Sequence, residues 1–300
     1  MWQSPSLKRA RSVAELASYR GGIGSMESRA RGLAFEPQPT DVLIATFPKC
    51  GTTWLQQIIH GLRTRGSMDF DEITLAVPWL ELALDLGSDL NWPQAARPRA
   101  FKTHLTWEEI PKGGRYLFMV RNPKDVVVSL YYFHQGWRFE PGAITIGDYA
   151  RGFFLAPERG RRYWQHVASW WEQRARNDVL LLSFEATQGD LPGAVRRIAS
   201  FMDCPLDDEL LEIVVRQSTI EFMRAHASQF DDHVVRAARN AANGLPDGGL
   251  SSKVRGGRIG DNVQELPLDV RQTLDAIWRE EIGSRFGFAS YEALSAALSQ

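Results

Sequence analysis

Cysteine is scarce in this chain: Cys50 and Cys204 are the only two among 300 residues, and they form no paired spacing. That points away from a disulfide-built extracellular scaffold. The first twenty residues scatter charges through every short apolar run, so no secretory segment is read there and the cytoplasm is the expected compartment. Long hydrophobic runs are missing too, none approaching the roughly 18 residues that span a bilayer, so no membrane anchor is expected. Charge of neither sign dominates. Against 36 Asp and Glu stand 35 Lys and Arg, a formal net charge of -1, which leaves no basic excess to hold a nucleic-acid backbone. No internal repeat or low-complexity tract is visible.

What is present is ample material for one large core, since 44% of the residues are hydrophobic, and a single α/β domain is favoured over two small ones. Residues 1–40 show no sustained period and read as a lead-in that wraps or dangles, with order beginning at Asp41. Residues 41–47 form a short continuous apolar run, followed by a turn and then by Trp54, Leu55, Ile58, Ile59 and Leu62 at helical spacing. Further strands are expected at 99–104, 115–120 and 179–184. Asn122 and Pro123 start a helix by side-chain capping and a proline in the first turn. Trp164, Val167, Ala168 and Trp171 mark another helix, with later ones at 210–215 and 270–282. Strands alternating with helices predict an α/β fold with a central parallel sheet flanked by helices on both faces, its ligand loops at the carboxyl ends of the strands. The tract 227–260 is rich in Ala, Asn, Gly and Arg and reads as a mobile lid of that domain, which spans 41–300.

Four segments carry chemistry. In 47–54 (FPKCGTTW) a strand-to-helix junction offers free N–H groups and Lys49, Gly51, Thr52 and Thr53 as an anion cradle. It lacks the lysine after the second glycine that marks the usual nucleoside-triphosphate loop. In 121–129 (RNPKDVVVS), Arg121 at a strand end suits a phosphate fork, with Ser129 two helical turns along. In 102–104 (KTH), His104 suits a general base and Lys102 a neutraliser of charge on a transferring group. In 253–261 (KVRGGRIGD), glycines allow close backbone approach to an anion, and Arg255 or Arg258 supplies charge. Each segment alone is also compatible with an ordinary turn, capped helix, structural histidine or surface loop.

In this order, the four segments resemble the cytosolic sulfotransferases, which move a sulfuryl group from 3'-phosphoadenosine 5'-phosphosulfate (PAPS) to a hydroxyl or amine. The resemblance implies a P-loop-containing nucleotide-binding fold, with PAP as the nucleotide product and no metal. It implies that Lys49, Cys50, Gly51, Thr52 and Thr53 hold the 5'-phosphosulfate, that Trp54 and Phe184 pack on adenine, and that Ser218 takes a further adenine contact. Arg121 and Ser129 would hold the 3'-phosphate, and Arg255, Gly256 and Gly257 would close over it. His104 would be the base, with Lys49 and Lys102 as catalytic cations. Ser129 would also hold Lys49 until the acceptor arrives. A sulfuryl group carries less charge than a phosphoryl group, so lysines and oriented N–H groups suit an in-line transfer.

The chain departs from the family at Cys50, usually Ser, at Gly256, often Lys, and at Ile220, often Phe. At a helix N-terminus in a cationic loop, Cys50 is expected to have a depressed pKa unless only its backbone N–H matters. A C-terminal dimer motif is missing from 261–280, so the oligomeric state stays open. Trp79, Phe133, Trp137, Phe139, Met223 and Phe230 suit a small apolar or aromatic acceptor. Arg138, Arg151 and Arg224 read as solvated surface, with selection of an acidic acceptor as the alternative. Two rival readings are a P-loop small-molecule kinase using ATP and Mg²⁺ and a non-catalytic nucleotide-binding protein of the same fold.

Overall fold

A computed structural model of the chain describes residues 8–19, 24–157, 159, 161–249, 253 and 263–298. Its centre is a parallel sheet of four strands: β1 (Val42–Ala45), β2 (Ala100–Thr103), β3 (Arg115–Val120) and β4 (Val179–Ser183). Their spatial order is β2-β1-β3-β4, with Ile44 opposite Lys102 across one neighbour and Leu117 across the other. The alternation of side chains along a strand sorts the sheet's residues into two cores. Leu43, Ala45, Phe101, Tyr116, Phe118 and Val120 enter one core, and Val42, Ile44, Leu117, Met119 and Leu182 enter the other. Both faces are covered, which is why the strands read as continuous apolar runs.

Helices close the two layers. On the second face lie α1 (Thr52–Thr64) and, later in the chain, helices Leu191–Phe201 and Asp208–Gln217. On the first lie α2 (Pro123–His134), α3 (Arg162–Trp171) and Leu268–Trp278, the last continuing into a π-turn at Arg279–Gly283. The expected start of α2 is realised: Asn122 accepts from the Lys124 N–H at 3.0 Å and Pro123 occupies the first turn. Helix Asp208–Gln217 starts earlier than its apolar residues indicate, because Asp207 caps the Leu210 N–H at 2.7 Å.

Two expectations change. Order does not begin at Asp41, because short helices Val13–Ser18 and Met26–Leu33 precede it, each capped by a serine, Ser12 and Ser25. Their apolar contacts are too few to give a period. Ala10, Leu16 and Phe35 nonetheless enter the first core, so this lead-in wraps the domain. The strands are also shorter than the apolar runs. Thr46, Phe47 and His104 lie beyond the last paired residues, which frees them for the loops at the sheet's carboxyl edge. The described part of 227–260 contains short helices at Ala227–Phe230, His233–Arg239 and Ala241–Asn243, with Phe230, Val235 and Leu245 buried.

Candidate active site

All four strands end at one cavity of about 1120 Å³. Its floor is the loop after β1, where Lys49 and Gly51 take left-handed φ values of 70° and 88°. A side chain at Gly51 would place its Cβ 2.7 Å from Met119 Sδ and 3.0 Å from Phe184 Cδ2. Only glycine fits there. The loop is tied down from both ends. The Lys49 carbonyl accepts from Arg121 Nη1 at 3.1 Å, and Thr46 and Thr52 share a hydrogen bond between their hydroxyls. The free N–H groups of α1 begin immediately after it.

The donor end carries an aromatic clamp. Trp54 and Phe184 lie with ring centroids 5.1 Å apart, and the Arg121 guanidinium rests 4.2 Å above the Phe184 ring. Trp54 Nε1 donates to the Ser218 carbonyl at 2.8 Å. Among the described residues Arg121 Nε and Ser218 Oγ are buried without a hydrogen-bond partner, a deficit that a bound ligand would make good. Together, a cradle that admits no Cβ and two orphan polar atoms beside an aromatic pair fit a nucleotide with anionic groups.

His104 stands at the transfer end. Its Nδ1 lies 2.7 Å from the Thr46 carbonyl, which only accepts, so Nδ1 carries the proton and Nε2 is the basic nitrogen. Its backbone N–H donates to Glu81 Oε1 at 3.0 Å, and its ring meets Trp79 edge to face at 5.0 Å. Burial, reinforced by the charges of Lys102 and Lys253 and opposed by Thr46, lowers its pKa to about 4. The ring is therefore neutral at pH 7.

Three lysines share this end. Lys102, buried, donates from Nζ to Thr74 Oγ1 at 3.0 Å and lies 4.5 Å over the Trp79 ring. Burial and Lys253 bring its pKa to about 8 against the pull of Asp232, Glu72 and Glu81. Lys49 has its Nζ 4.2 Å over the Phe133 ring, and burial, then Lys253, Arg121 and Lys102, bring it to about 7 despite Asp232. Asp232 is the counter-charge: its Oδ1 lies 2.5 Å from Lys253 Nζ and 3.9 Å from Lys102 Nζ. Burial would raise its pKa, but the two lysines hold it down to about 2.

The expected residues Lys49, Gly51, Thr52, Thr53, Trp54, Lys102, His104, Arg121, Ser129, Phe184 and Ser218 all line this one cavity. Cys50 does not. It is buried at 1% exposure, and burial pushes its thiol above the usual value, so the expected depressed pKa is not found. Ser129 makes no hydrogen bond to Lys49, whose ammonium rests on Phe133, one turn further along α2, instead. Arg255, Gly256 and Gly257 lie outside the described residues. Of the aromatic and apolar residues expected at the acceptor, Trp79, Phe133 and Met223 line the cavity, whereas Trp137, Phe139 and Phe230 are packed in the core. Phe47, Phe154 and Tyr163 line it unforeseen. Glu81 and Asp232 were missed as well; a lone acidic residue carries no local signal until the fold brings a histidine or lysine beside it.

A sulfotransferase domain model matches residues 39–286. Sulfotransferase 1B1 of Mus musculus is 30% identical over 260 residues, 83% of this chain and 84% of that protein. Sulfotransferase 1C2 of Rattus norvegicus is 25% identical over 291 residues, 93% of this chain and 96% of the relative. Among solved structures, mouse sulfotransferase SULT7A1 complexed with PAP shares the fold at a TM-score of 0.67 and 19% identity, covering 93% of this chain and 95% of that one. Retinol dehydratase in complex with androsterone and PAP does so at 0.68 and 19%, covering 86% and 84%. With the domain running through most of the chain and a 30% identical relative covering as much, the chain belongs to the cytosolic-type sulfotransferase family.

Proposed function

We propose that His104 is the general base of sulfuryl transfer from PAPS to a hydroxyl or amine of a small acceptor with an apolar or aromatic body, and that Lys49 and Lys102 are its catalytic cations. As a member of this family the chain is a PAPS-dependent sulfotransferase, with PAP as the product. The kinase reading is not favoured by that membership. The observation that carries the assignment of His104 is its bond to the Thr46 carbonyl, which leaves a neutral imidazole with Nε2 as its basic nitrogen, within reach of the charges of Lys102 and Lys253.

In this reading Nε2 takes the acceptor's proton as the oxygen or nitrogen attacks the sulfur. Lys102 neutralises the sulfuryl oxygens, and Lys49 the phosphate oxygen released from them. Lys49, Gly51, Thr52 and Thr53 bind the 5' anion, while Cys50, whose N–H donates to the Phe47 carbonyl at 3.1 Å, helps to shape the turn. Trp54, Phe184 and Ser218 receive the base, and Arg121 with Ser129 receives the 3'-phosphate. Arg255, Gly256 and Gly257 complete that phosphate site from the segment 227–260, which serves as the lid. Asp232 holds Lys253 and Lys102 in place from the same segment. The near-balance of charge argues against a nucleic-acid partner, and the cytoplasm is the proposed compartment. Among the described residues no helix is long and apolar enough to cross a membrane.

Calorimetric titration with PAP, and with ATP plus Mg²⁺ as comparison, tests the donor site. Micromolar PAP binding with negligible ATP binding is expected, and the reverse preference would return the kinase reading.

A further inference from the structure

The cavity also holds a cation that the transfer chemistry does not use. Arg138 sits in the turn after α2, where its N–H donates to the His134 carbonyl at 2.7 Å and its carbonyl accepts from the Ala10 N–H at 2.9 Å. The backbone is thereby fixed, and the side chain lines the cavity. Its Nε is buried with no hydrogen-bond partner, and among the described residues no carboxylate forms an ion pair with it. The other arginines read from the sequence as surface differ. Arg151 forks onto Asp269 with two bonds of 2.8 Å, and Arg224 is exposed.

The surroundings of Arg138 add positive charge. Arg159, also on the cavity wall, packs 4.2 Å over the Phe153 ring, and burial together with the Arg159 charge disfavours the charged form of Arg138. His134 offers no compensation. Its Nδ1 pairs with the Tyr149 hydroxyl at 2.9 Å, and burial, then Arg138, Lys49 and Arg159, keep it neutral. A half-buried guanidinium beside a second cation, its Nε unpartnered among the described residues, keeps hydrogen-bonding capacity that an anion would complete. Phe133, under the Lys49 ammonium, and Phe153, under the Arg159 guanidinium, give the same cavity an aromatic lining together with Phe154.

We propose that Arg138 binds a carboxylate on the acceptor, remote from the reacting hydroxyl, so that the enzyme's acceptors are hydroxylated aromatic or alicyclic carboxylates. A carboxylate matches the planar fork of a guanidinium with two parallel hydrogen bonds. This inference rests on the sulfotransferase reading and adds the class of acceptor to it.

The test is a panel of hydroxyaryl and hydroxy-alicyclic carboxylates, each paired with its methyl ester, assayed for kcat/KM with PAPS. Carboxylates are expected to exceed their esters by about tenfold or more, the scale of a charge-assisted hydrogen bond. In Arg138→Gln that ratio falls towards one, and in Arg138→Lys it is partly kept. The melting temperature of Arg138→Gln should stay close to that of the wild type, because the half-buried guanidinium makes no ion pair among the described residues for the substitution to break. If no carboxylate exceeds its ester in the wild type, the proposal is overturned, whether the esters react or nothing does. It is equally overturned if Arg138→Gln keeps the ratio while melting lower, the signature of a purely structural arginine. PAP titration of the same wild-type sample separates the two readings: PAP bound without carboxylate preference sinks this inference alone, and no PAP bound sinks the reading beneath it.

Discussion

Lys49 faces two conflicting demands, since it must be charged to neutralise a phosphate oxygen yet is held close to other cations in a low-dielectric cavity. Burial and its neighbours bring it to about 7, and Lys102 to about 8. An anion bound beside them favours the charged forms, so both pKa values rise on binding. Above pH 7 the free lysines are increasingly neutral and must take up protons as the nucleotide arrives. PAP affinity is therefore expected to fall as pH rises from 7 to 9. Titrations at pH 8 in buffers of different ionisation enthalpy should register net proton uptake; proton release, or affinity flat across that range, would contradict these assignments. His104, with its pKa lowered to about 4, stays neutral throughout and contributes no change there.

Among the elements, the turn after β1 is the most constrained, because a left-handed glycine meets the sulfur of β3 and the ring that follows β4. Gly51→Ala is expected to destabilise the protein by about 1–3 kcal/mol and to weaken PAP binding, read by urea unfolding and calorimetry; wild-type values for both would show that the cradle tolerates a side chain. Elements of this kind were legible in the sequence. A buried strand, a glycine turn and an amphipathic helix leave contiguous signals, as do Asn122 and Pro123 at the start of α2. The strand ends therefore placed Lys49, His104, Arg121 and Phe184 correctly at one edge. What stayed hidden depends on contacts between distant parts of the chain. Glu81 meets His104 from 23 residues away, and Asp232 meets Lys102 from a different segment altogether. Cys50 misled for the same reason: its loop is cationic, but burial against the core decides its thiol.

At the scale of the whole molecule, the sheet separates two apolar cores and opens its carboxyl edge to the cavity, while its amino edge is closed by an ion pair. Asp41, before β1, and Arg99, before β2, are joined by two hydrogen bonds, Arg99 Nε to Oδ1 at 2.9 Å and Nη2 to Oδ2 at 2.5 Å. Their side chains are 0% and 8% exposed. Arg99→Ala strands a buried carboxylate and is expected to cost about 3–5 kcal/mol in urea unfolding while leaving PAP affinity intact, since the pair lies at the opposite edge from the site. A loss below 1 kcal/mol would mean that water reaches Asp41.

Nε2 of His104 is the atom that takes the acceptor's proton. The most direct test of that role is transfer of a radiolabelled sulfuryl group from PAPS to a phenolic acceptor by wild type and His104→Ala, with PAP affinity measured on both. Labelled product is expected from the wild type and a loss of turnover of roughly a hundredfold or more in the variant, with PAP bound near normally. Turnover undiminished in His104→Ala would contradict that role.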